Sequence, residues 1–412
     1  MYQRIGKTAF KKNLSNTLAL CRNLDNPQND FKSIHIAGTN GKGSSAHMIS
    51  AVLQSAGYRV GLYTSPHIKD FTERICINGQ SIPEHEVADF VDQNQNIISR
   101  INPSFFEVTV VMAFYYFAKQ EVDLAIIETG LGGRLDSTNV IVPAVSLITN
   151  IGMDHQEMLG DSLPEIAFEK AGIIKNGIPV IICTTQNQVA DVFINKAEEL
   201  KSPIIFAEEE LSINRLENCE FELISGDTFY PSIIRLDLKG DYQQKNLPGV
   251  LVTLKKLSDC EFAITHENII EGLGNITRLT GLKGRWQILS RGKPLIVCDV
   301  AHNEDGIRAI MNQLENTQSD KKHIVWGMVN DKDTGKLLNL LPKDALYYFC
   351  EAQIPRALKV EKLKTTAESI GLVGNSYPSV SSATAEAKKH ATDNDLIFIG
   401  GSTFVVAEID EL

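Results

Sequence analysis

The feature that most constrains the fold is the stretch "SIHIAGTNGKGSSAHMISAVLQSAG" at residues 33–57. The apolar run 34–37 predicts a strand that ends at a glycine-rich turn. From Ser44 to Ala56 apolar residues recur at helical spacing, and Gly57 supplies a stop signal for the helix. The next run, "RVGLYTS", predicts another strand. Strand, turn, helix and strand within about thirty residues form a βαβ unit, which predicts a parallel sheet in this part of the chain.

Further strands are predicted at 123–129, 144–150 and 179–183. Their apolar residues run continuously instead of alternating, which is typical of parallel strands covered on both faces. Residues 203–238 contain short strand-like pieces and turn signals, and they predict a small antiparallel addition. The segments "NLPGVLVTLKKL" and "HENIIEGLGNI" then read as helices.

A second alternating pattern of strands and helices begins near residue 286 and reaches "DLIFIGG" near the C-terminus. A chain of 412 residues exceeds one ordinary hydrophobic core, so two domains are expected. The predicted fold class is α/β, with an N-terminal, mostly parallel, P-loop-type sheet flanked by helices and a C-terminal Rossmann-like domain. The predicted limits are 1–288 and 289–412.

Composition excludes several classes of protein. Hydrophobic residues make up 43% of the chain and charged residues 22%, as in ordinary globular proteins. The net charge of -11 argues against nucleic acid as a partner. The seven cysteines form no Cys-x-x-Cys pair, which argues against a disulfide framework or a zinc site. The N-terminal residues lack a signal-peptide core, and the longest apolar run, 108–118, is too short for a bilayer. We therefore expect a cytoplasmic protein that has no membrane partner.

The glycine-rich turn is a candidate phosphate-binding loop. In the usual NTPase loop the lysine directly precedes Ser or Thr, whereas here Gly43 separates Lys42 from Ser44. Backbone N–H groups of the turn and of the helix start would converge on an anion, and Lys42 would add a full positive charge. The alternative is a tight connection with a solvated lysine. A strand before the turn and a helix after it favour phosphate binding.

Two ionisable residues follow predicted strands at their carboxyl ends, the edge where open α/β sheets bind ligands. Glu128 closes "DLAIIE", and His155 follows "AVSLITN". A carboxylate and an imidazole there are suitable ligands for a divalent cation bound to phosphate. A helix-capping Glu and a surface His are equally compatible with the spacing. Lys170 lies in a helical segment where a salt bridge explains it, and His35 lies inside a strand as a packed histidine.

In the second domain, "LIVCDVAHNEDG" places Asp299, His302 and Asn303 between a strand and a helix. Arg285 lies at the predicted junction, where a guanidinium could clamp phosphate, although a linker arginine is more often a surface residue. The residues alone therefore predict a two-domain α/β nucleotide enzyme with a magnesium site and an interdomain cleft. They do not identify the substrate.

Six motifs occur together in this chain and in one known family. They are "HIAGTNGKGSS", "YTSPHIKDFTERICINGQSI", "IIETGLGGRLDSTN", "IAFEKAGIIK", "GRWQI" and "CDVAHN". The order resembles that of folylpolyglutamate synthase/dihydrofolate synthase, a family of Mur-ligase-like, ATP-dependent amide ligases. The resemblance extends from about Gln3 to Glu408. The phosphate loop of this family has its lysine in the same early position.

The resemblance implies roles for individual residues. It implies that the nucleotide is contacted by Gly38, Thr39, Asn40, Gly41, Lys42, Gly43, Ser44, Asn246, Arg285, Asp299 and His302. It implies that magnesium is held by Ser65, Glu128 and His155, with Ser44 close to the metal. Lys170 matches a lysine that the family carries as a carbamate, which helps to hold a second Mg²⁺. Lys42, His155 and Lys170 are the implied catalytic residues, and Phe106 and Asp136 line the implied pterin site.

The implied reaction joins L-glutamate to dihydropteroate and to reduced folates through an acyl phosphate made from ATP. The implied partners are these small molecules, and the resemblance implies a monomer. Two alternatives are a Mur ligase of peptidoglycan precursor synthesis and a non-catalytic nucleotide-binding module. Mur ligases carry a nucleotide-sugar-binding domain before the phosphate loop, and the loop here begins at Gly38. The combination of Lys42, Glu128, His155 and Lys170 exceeds what mere binding requires.

Overall fold

The computed structural model describes residues 13–290, 292–330 and 332–412. The N-terminal residues considered above for a signal peptide lie largely outside this range. The chain divides into two compact units. Unit 1 comprises the residues up to Asp237 and Gln243–Leu282, and unit 2 comprises Leu238–Tyr242 and Lys283–Leu412. The predicted two-domain α/β class is confirmed.

The main sheet of unit 1 has eight strands. They are β1 (Lys32–Ala37), β2 (Val60–Tyr63), β3 (Ile75–Ile77), β4 (Gln80–Ser81), β5 (Leu124–Glu128), β6 (Val145–Ile148), β7 (Val180–Ile182) and β8 (Ile204–Phe206). Their spatial order is β4-β3-β2-β5-β1-β6-β7-β8. The neighbours from β2 to β8 pair in parallel, and β3 and β4 form an antiparallel edge. The mostly parallel sheet is as predicted, and β1, which carries the glycine-rich turn, lies near its centre.

The helices of unit 1 cover both faces of this sheet with apolar side chains. They are α1 (Ser15–Asn23), α2 (Lys42–Ser55), α3 (Glu84–Gln93), α4 (Gln95–Ile101), α5 (Phe105–Lys119), α6 (Gln156–Leu159), α7 (Leu163–Ala171), α8 (Ala190–Glu199), α9 (Ala207–Glu210), α10 (Gln243–Cys260), α11 (His266–Gly274) and α12 (Ile276–Thr280). One buried cluster lies around α5 and a second around α7 and α8. On the α2 side, α10, α11 and α12 pack against α2. The apolar run 108–118 therefore belongs to a buried helix, as predicted.

A separate antiparallel sheet consists of β9 (Ser212–Arg215), β10 (Glu220–Ile224) and β11 (Ile233–Arg235). It accounts for most of the antiparallel addition predicted for 203–238. Ile204–Phe206 is the exception, because it pairs in parallel with β7 and extends the main sheet. The reason is that α8 serves as a crossover helix between these two strands, which is the connection that parallel neighbours require.

Unit 2 contains one six-stranded sheet. Its strands are β12 (Gln287–Ser290), β13 (Leu295–Cys298), β14 (Lys322–Trp326), β15 (Leu346–Cys350), β16 (Gly374–Tyr377) and β17 (Leu396–Gly400). Their spatial order is β12-β13-β17-β14-β15-β16, and only the β12–β13 pair is antiparallel. The helices are α13 (Glu304–Asn316), α14 (Thr334–Leu338), α15 (Val360–Ser369), α16 (Val380–His390) and α17 (Thr403–Ala407).

The two units meet in sequence at Lys283, six residues before the predicted start of the second domain at 289. The side chain of Trp286 is buried in the core of unit 2, and β12 pairs with β13. The five residues Leu238–Tyr242 also belong to unit 2, although the chain before and after them belongs to unit 1. No sequence signal indicated this excursion.

In the described part of the chain, none of the helices has the length and apolar character needed to cross a bilayer.

Candidate active site

The glycine-rich turn connects β1 to α2, as predicted. Gly41 precedes α2 with a φ of 87°, a conformation that L side chains rarely adopt. A Cβ atom at Gly41 would lie 2.2 Å from Asn246 Oδ1, and one at Gly38 would lie 1.8 Å from Thr149 Oγ1. Both positions therefore require glycine. The turn is also tied to the segment after β6, because the Thr39 backbone N–H donates to the Asn150 carbonyl at 2.8 Å.

Two lysines converge on this turn. Lys42 Nζ donates to the carbonyl oxygens of Gly38 at 3.1 Å and Thr39 at 3.3 Å. Lys170 Nζ, on α7, donates to the same Gly38 carbonyl at 2.7 Å. Burial, together with the nearby charge of Lys42, lowers the pKa of Lys170 to about 7. Lys170 is thus a buried amine that loses its proton near neutral pH, and its described hydrogen bond goes to a backbone carbonyl and not to the acidic side chain that a salt bridge requires.

Glu128 ends β5 next to this turn, and its side chain is almost completely buried. Its Oε1 lies 4.0 Å from Lys42 Nζ, and its Oε2 accepts a hydrogen bond from the Ser65 backbone N–H at 3.2 Å. Ser65 precedes Pro66 through a cis peptide bond. The structure therefore brings together three residues that the sequence analysis assigned to phosphate and metal.

His155 immediately precedes α6, with a φ of 51° and a partly exposed imidazole. Its Nε2 lies 3.9 Å from Asp154 Oδ2. Among the described residues, no group of three or more His, Cys, Asp or Glu side chains could hold a metal ion. The Glu128 carboxylate beside Ser65 fits Mg²⁺, because this ion usually takes one or two carboxylates and completes its shell with water and substrate phosphates. The described contacts of His155 do not include Ser65 or Glu128, so its place in this set stays a prediction.

A chain of side-chain amides reaches the phosphate loop from α10. Asn246 Nδ2 donates to Gln243 Oε1 at 2.8 Å, and Gln243 Nε2 donates to Ser44 Oγ at 3.1 Å. All three side chains are buried. Asn246 was predicted from resemblance, whereas Gln243 was missed. The signal that could have found Gln243 is its spacing of three residues from Asn246, which places both side chains on one face of a helix.

The two residues assigned to the pterin lie at the carboxyl end of the main sheet. The half-buried Phe106 ring lies 6.3 Å from the Tyr63 ring, and a Cβ atom at Gly130 would lie 2.4 Å from it. Asp136 Oδ2 accepts from the backbone N–H groups of Gly130 at 2.9 Å and Leu131 at 2.8 Å. Burial raises the pKa of the Asp136 carboxyl, opposed by these hydrogen bonds.

Arg74 is a further buried side chain in this region that the sequence analysis did not single out. Its Nε donates to His67 Nδ1 at 2.8 Å, and its guanidinium lies 5.8 Å from the centre of the Phe105 ring. Burial lowers the pKa of His67 to about 4, and the charge of Arg74 acts in the same direction. His67 is therefore neutral and able to accept this hydrogen bond.

The remaining predicted nucleotide contacts belong to unit 2. Asp299 follows β13, and its Oδ2 accepts from the Tyr242 hydroxyl at 2.7 Å and from the Trp286 N–H at 2.6 Å. Burial raises the pKa of Asp299, while the charge of Arg285 opposes the shift. Arg285 donates to the Gly284 carbonyl at 3.3 Å, and His302 Nδ1 donates to the Val300 carbonyl at 3.0 Å. Asp299 thus fastens two segments of its own unit, and the nucleotide contacts of all three residues stay predictions.

Comparison with known families and proteins shows which family has this arrangement of domains. Residues 36–254 match the Mur ligase middle domain, and residues 284–403 match the Mur ligase glutamate ligase domain. The chain is similar to the dihydrofolate synthase/folylpolyglutamate synthase of Bacillus subtilis, with 32% identity over 421 residues that cover 98% of this chain and 95% of that protein.

Solved structures agree with this match along the whole chain. Escherichia coli FolC in complex with DHPP and ADP has a TM-score of 0.86 and 26% identity, covering 98% of this chain and 94% of that one. A bifunctional folylpolyglutamate synthase/dihydrofolate synthase with Mn, AMPPNP and L-glutamate bound has a TM-score of 0.83 and 28% identity, covering 97% and 93%. The chain therefore belongs to the Mur ligases, and among them to the dihydrofolate synthase/folylpolyglutamate synthase family.

Proposed function

We propose that this protein is an ATP-dependent ligase that joins L-glutamate to dihydropteroate and to reduced folates. The observation that carries the proposal is the junction of β1 and α2, where a glycine-rich loop, Lys42 and the buried carboxylate of Glu128 occupy one sheet edge. The choice of substrates is supported by the similarity to dihydrofolate synthase/folylpolyglutamate synthase over almost the whole chain.

The reaction consists of two transfers. The carboxylate of the pterin substrate attacks the γ-phosphorus of ATP, which forms an acyl phosphate and releases ADP. The amine of L-glutamate then attacks the acyl carbon, loses its proton and displaces inorganic phosphate. The loop N–H groups and Lys42 neutralise negative charge on the phosphates, and positioning with electrostatic stabilisation is the main source of rate in phosphoryl transfer.

We assign Ser65, Glu128 and His155 to magnesium, with Ser44 close to the ion. When bound, Mg²⁺ supplies positive charge to phosphate oxygens and orients them. The related structure with Mn, AMPPNP and L-glutamate supports a divalent ion in this family. The expected number of two ions is a proposal, and it depends on the state of Lys170.

We assign a carbamate to Lys170. A neutral amine adds to the carbon of CO₂ and releases a proton, and the product is an anion that could help to hold a second Mg²⁺. The support is that burial lowers the pKa of Lys170 to about 7, so much of this amine is neutral at physiological pH.

A ¹³C-labelled bicarbonate experiment tests this assignment. Wild-type protein should show a carbamate resonance that is lost in Lys170→Met. The control is Lys175→Met, because Lys175 is also largely buried and its pKa is lowered to about 8. A wild-type spectrum without the resonance, or one that loses it in the Lys175 variant, would contradict the assignment.

We assign the remaining residues to two substrates. The loop residues from Gly38 to Ser44 and Asn246 contact ATP, and support comes from the amide chain that fixes Asn246 beside the loop. In unit 2 the same role is proposed for Arg285, Asp299 and His302. Phe106 and Asp136 line the pterin site, supported by their common contact with Gly130.

The direct test is ATP-dependent release of phosphate with Mg²⁺ and L-glutamate. Dihydropteroate, tetrahydrofolate and a muropeptide precursor are supplied in separate reactions, and mass spectrometry follows the addition of glutamate. Turnover with both pterins is expected, and turnover with tetrahydrofolate alone would narrow the activity to a polyglutamate synthase. Turnover with the muropeptide alone would reject the proposal in favour of a cell-wall ligase, and ATP binding without turnover would indicate a non-catalytic module.

The cytoplasmic location and the monomeric state remain proposals from the sequence. Static light scattering of the purified protein tests the second one directly.

A further inference from the structure

His35 lies in the middle of β1 and is completely buried. Its Nε2 lies 2.8 Å from Thr138 Oγ1. The hydroxyl of Thr138 in turn donates to Asp136 Oδ1. Because the single proton of the hydroxyl is used in this second hydrogen bond, the oxygen must accept from His35, and Nε2 must carry the imidazole proton. Burial lowers the pKa of His35 to about 3, which agrees with a neutral ring.

The hydrogen bonds from His35 to Thr138 and from Thr138 to Asp136 form a relay. At its far end, Asp136 holds the turn at Gly130 and Leu131. Asp136 receives the Thr138 hydroxyl and the Thr138 backbone N–H on Oδ1, and the backbone N–H groups of Gly130 and Leu131 on Oδ2. Four donors fix the carboxylate in one orientation. Gly130 packs directly against the Phe106 ring, so the same carboxylate holds one wall of the proposed pterin site.

A packing role alone does not explain the imidazole. Within the described residues, His35 Nδ1 is buried and has no hydrogen-bond partner. A buried acceptor without a partner costs stability, and an apolar residue in this central strand would avoid that cost. The nitrogen that does have a partner points along the relay to Asp136. The group that distinguishes His35 from an apolar residue is therefore the Nε2–H donor.

We propose that His35 is a positioning residue for the pterin substrate, acting through Thr138 on Asp136 and the Gly130–Leu131 turn. The inference rests on the proposed function, because it assigns the relay to the pterin site. His35 does not touch the substrate in this scheme. Its donated hydrogen bond sets the Thr138 hydroxyl toward Asp136, and the carboxylate then holds the turn against Phe106.

The strand itself offers a way to separate this role from a structural one. His35 lies three residues before Gly38, where the phosphate loop starts. A substitution that merely distorts β1 would disturb ATP use as well, whereas loss of the relay should affect the pterin substrate selectively. The experiment therefore measures KM for dihydropteroate, KM for ATP and kcat in each variant.

The variants form two matched pairs. His35→Leu removes the donor, and His35→Gln keeps an N–H at a similar reach. Thr138→Val removes the hydroxyl and keeps the shape, whereas Thr138→Ser keeps the hydroxyl. We expect His35→Leu and Thr138→Val to raise KM for dihydropteroate about tenfold, the upper end of the effect of one lost hydrogen bond. KM for ATP and kcat should change by less than about twofold, and His35→Gln and Thr138→Ser should have a KM for dihydropteroate close to that of the wild type.

The double variant His35→Leu/Thr138→Val should have a KM for dihydropteroate no higher than that of either single variant, because both substitutions break the same relay.

Several results would overturn the proposal. Unchanged KM for dihydropteroate in His35→Leu would do so, as would an equal rise in KM for ATP or independent, multiplicative effects in the double variant. If His35→Leu does not fold by circular dichroism, Thr138→Val against Thr138→Ser decides the question. Failure of the proposed function is distinguishable, because wild-type protein would then show no turnover with dihydropteroate or with tetrahydrofolate. If the wild type uses tetrahydrofolate alone, KM for tetrahydrofolate replaces KM for dihydropteroate in the same comparison.

Discussion

At the scale of single residues, the phosphate loop concentrates positive charge on one backbone carbonyl. The Nζ atoms of Lys42 and Lys170 both donate to Gly38, and Glu128 lies beside Lys42. An amine whose pKa falls to about 7 relieves the repulsion by losing its proton. We therefore expect the two lysines to differ in chemistry, with Lys42 supplying the charge and Lys170 supplying the amine that forms the proposed carbamate.

Lys42→Met should reduce kcat about a hundredfold or more, because the loss of one preorganised charge in a phosphate site has effects of this order. The measurement is steady-state phosphate release at saturating ATP. The control is Lys196→Met, which removes a lysine that pairs with Glu199 on the surface of α8. If Lys42→Met had the same turnover as the control, the assignment of Lys42 to the phosphates would be wrong.

His35 also predicts a pH dependence of stability. Its pKa is about 3 in the folded protein and near the ordinary value of 6.5 in the unfolded chain. Between these values the unfolded chain binds the proton and the folded protein does not, so acid favours unfolding by up to about 1.4 kcal/mol per pH unit. Urea unfolding from pH 7 down to pH ~4.5 should show this slope in wild type, and a shallower slope in His35→Gln. Equal slopes would mean that the imidazole is protonated in the folded state.

At the scale of elements, the turn between β1 and α2 is shaped by its contact with α10. Gly41 and Gly57 precede and follow α2 with nearly the same φ, 87° and 88°. A Cβ atom at Gly41 would collide with Asn246, whereas one at Gly57 would have nothing within 4 Å. A side chain at either glycine would strain the backbone equally, but only one at Gly41 would also collide with a neighbour. Comparing the two positions therefore distinguishes the cost of strain from the cost of the collision.

Gly57→Ala should cost only about 1 kcal/mol of unfolding free energy, the typical cost of a left-handed residue. Gly41→Ala should cost more and should also weaken ATP binding, because Asn246 must move away from the loop. Urea unfolding and titration with an ATP analogue measure the two effects. Equal behaviour of the two variants would show that the contact with Asn246 has no consequence.

How much the sequence could predict varies with the kind of contact. The strand-ending Glu128 and the loop of β1 were found because apolar runs, glycines and charged residues follow one another locally. The relay of His35 could not be found, because Thr138 is 103 residues away and meets it only when β1 and β5 pair. β16 is hard to predict from the sequence, because "GNSY" has no apolar run. The contact of Gln243 with Ser44 could be predicted only by knowing which face of α10 meets the phosphate loop.

At the scale of the whole molecule, unit 2 is discontinuous in sequence. Residues Leu238–Tyr242 are fastened to it by side chains from distant elements. Gln313 on α13 accepts from the Asp241 N–H at 2.8 Å and donates to the Lys239 carbonyl at 2.9 Å, and it is buried. Asp299 holds the Tyr242 hydroxyl at the other end of the segment.

Gln313→Leu should lower the stability of unit 2 by about 1–3 kcal/mol, because it leaves two backbone groups without this partner. Asn312→Leu is the control, since Asn312 is the exposed neighbour on the same helix. Urea unfolding followed by fluorescence of Trp286 and Trp326, which both lie in the core of unit 2, measures the difference. Identical midpoints for the two variants would show that the segment adds nothing to this unit.

The excursion of Leu238–Tyr242 also affects how such a protein is made and inherited. During synthesis these five residues are translated before any of Lys283–Leu412, and Gln243–Leu282, which belongs to the first unit, is translated between them. A single genetic crossover between Gln243 and Lys283 would separate the five residues from the side chains that hold them, and one before Leu238 would divide unit 1. No single crossover therefore exchanges one unit as a whole for that of a relative, although each unit has a hydrophobic core of its own.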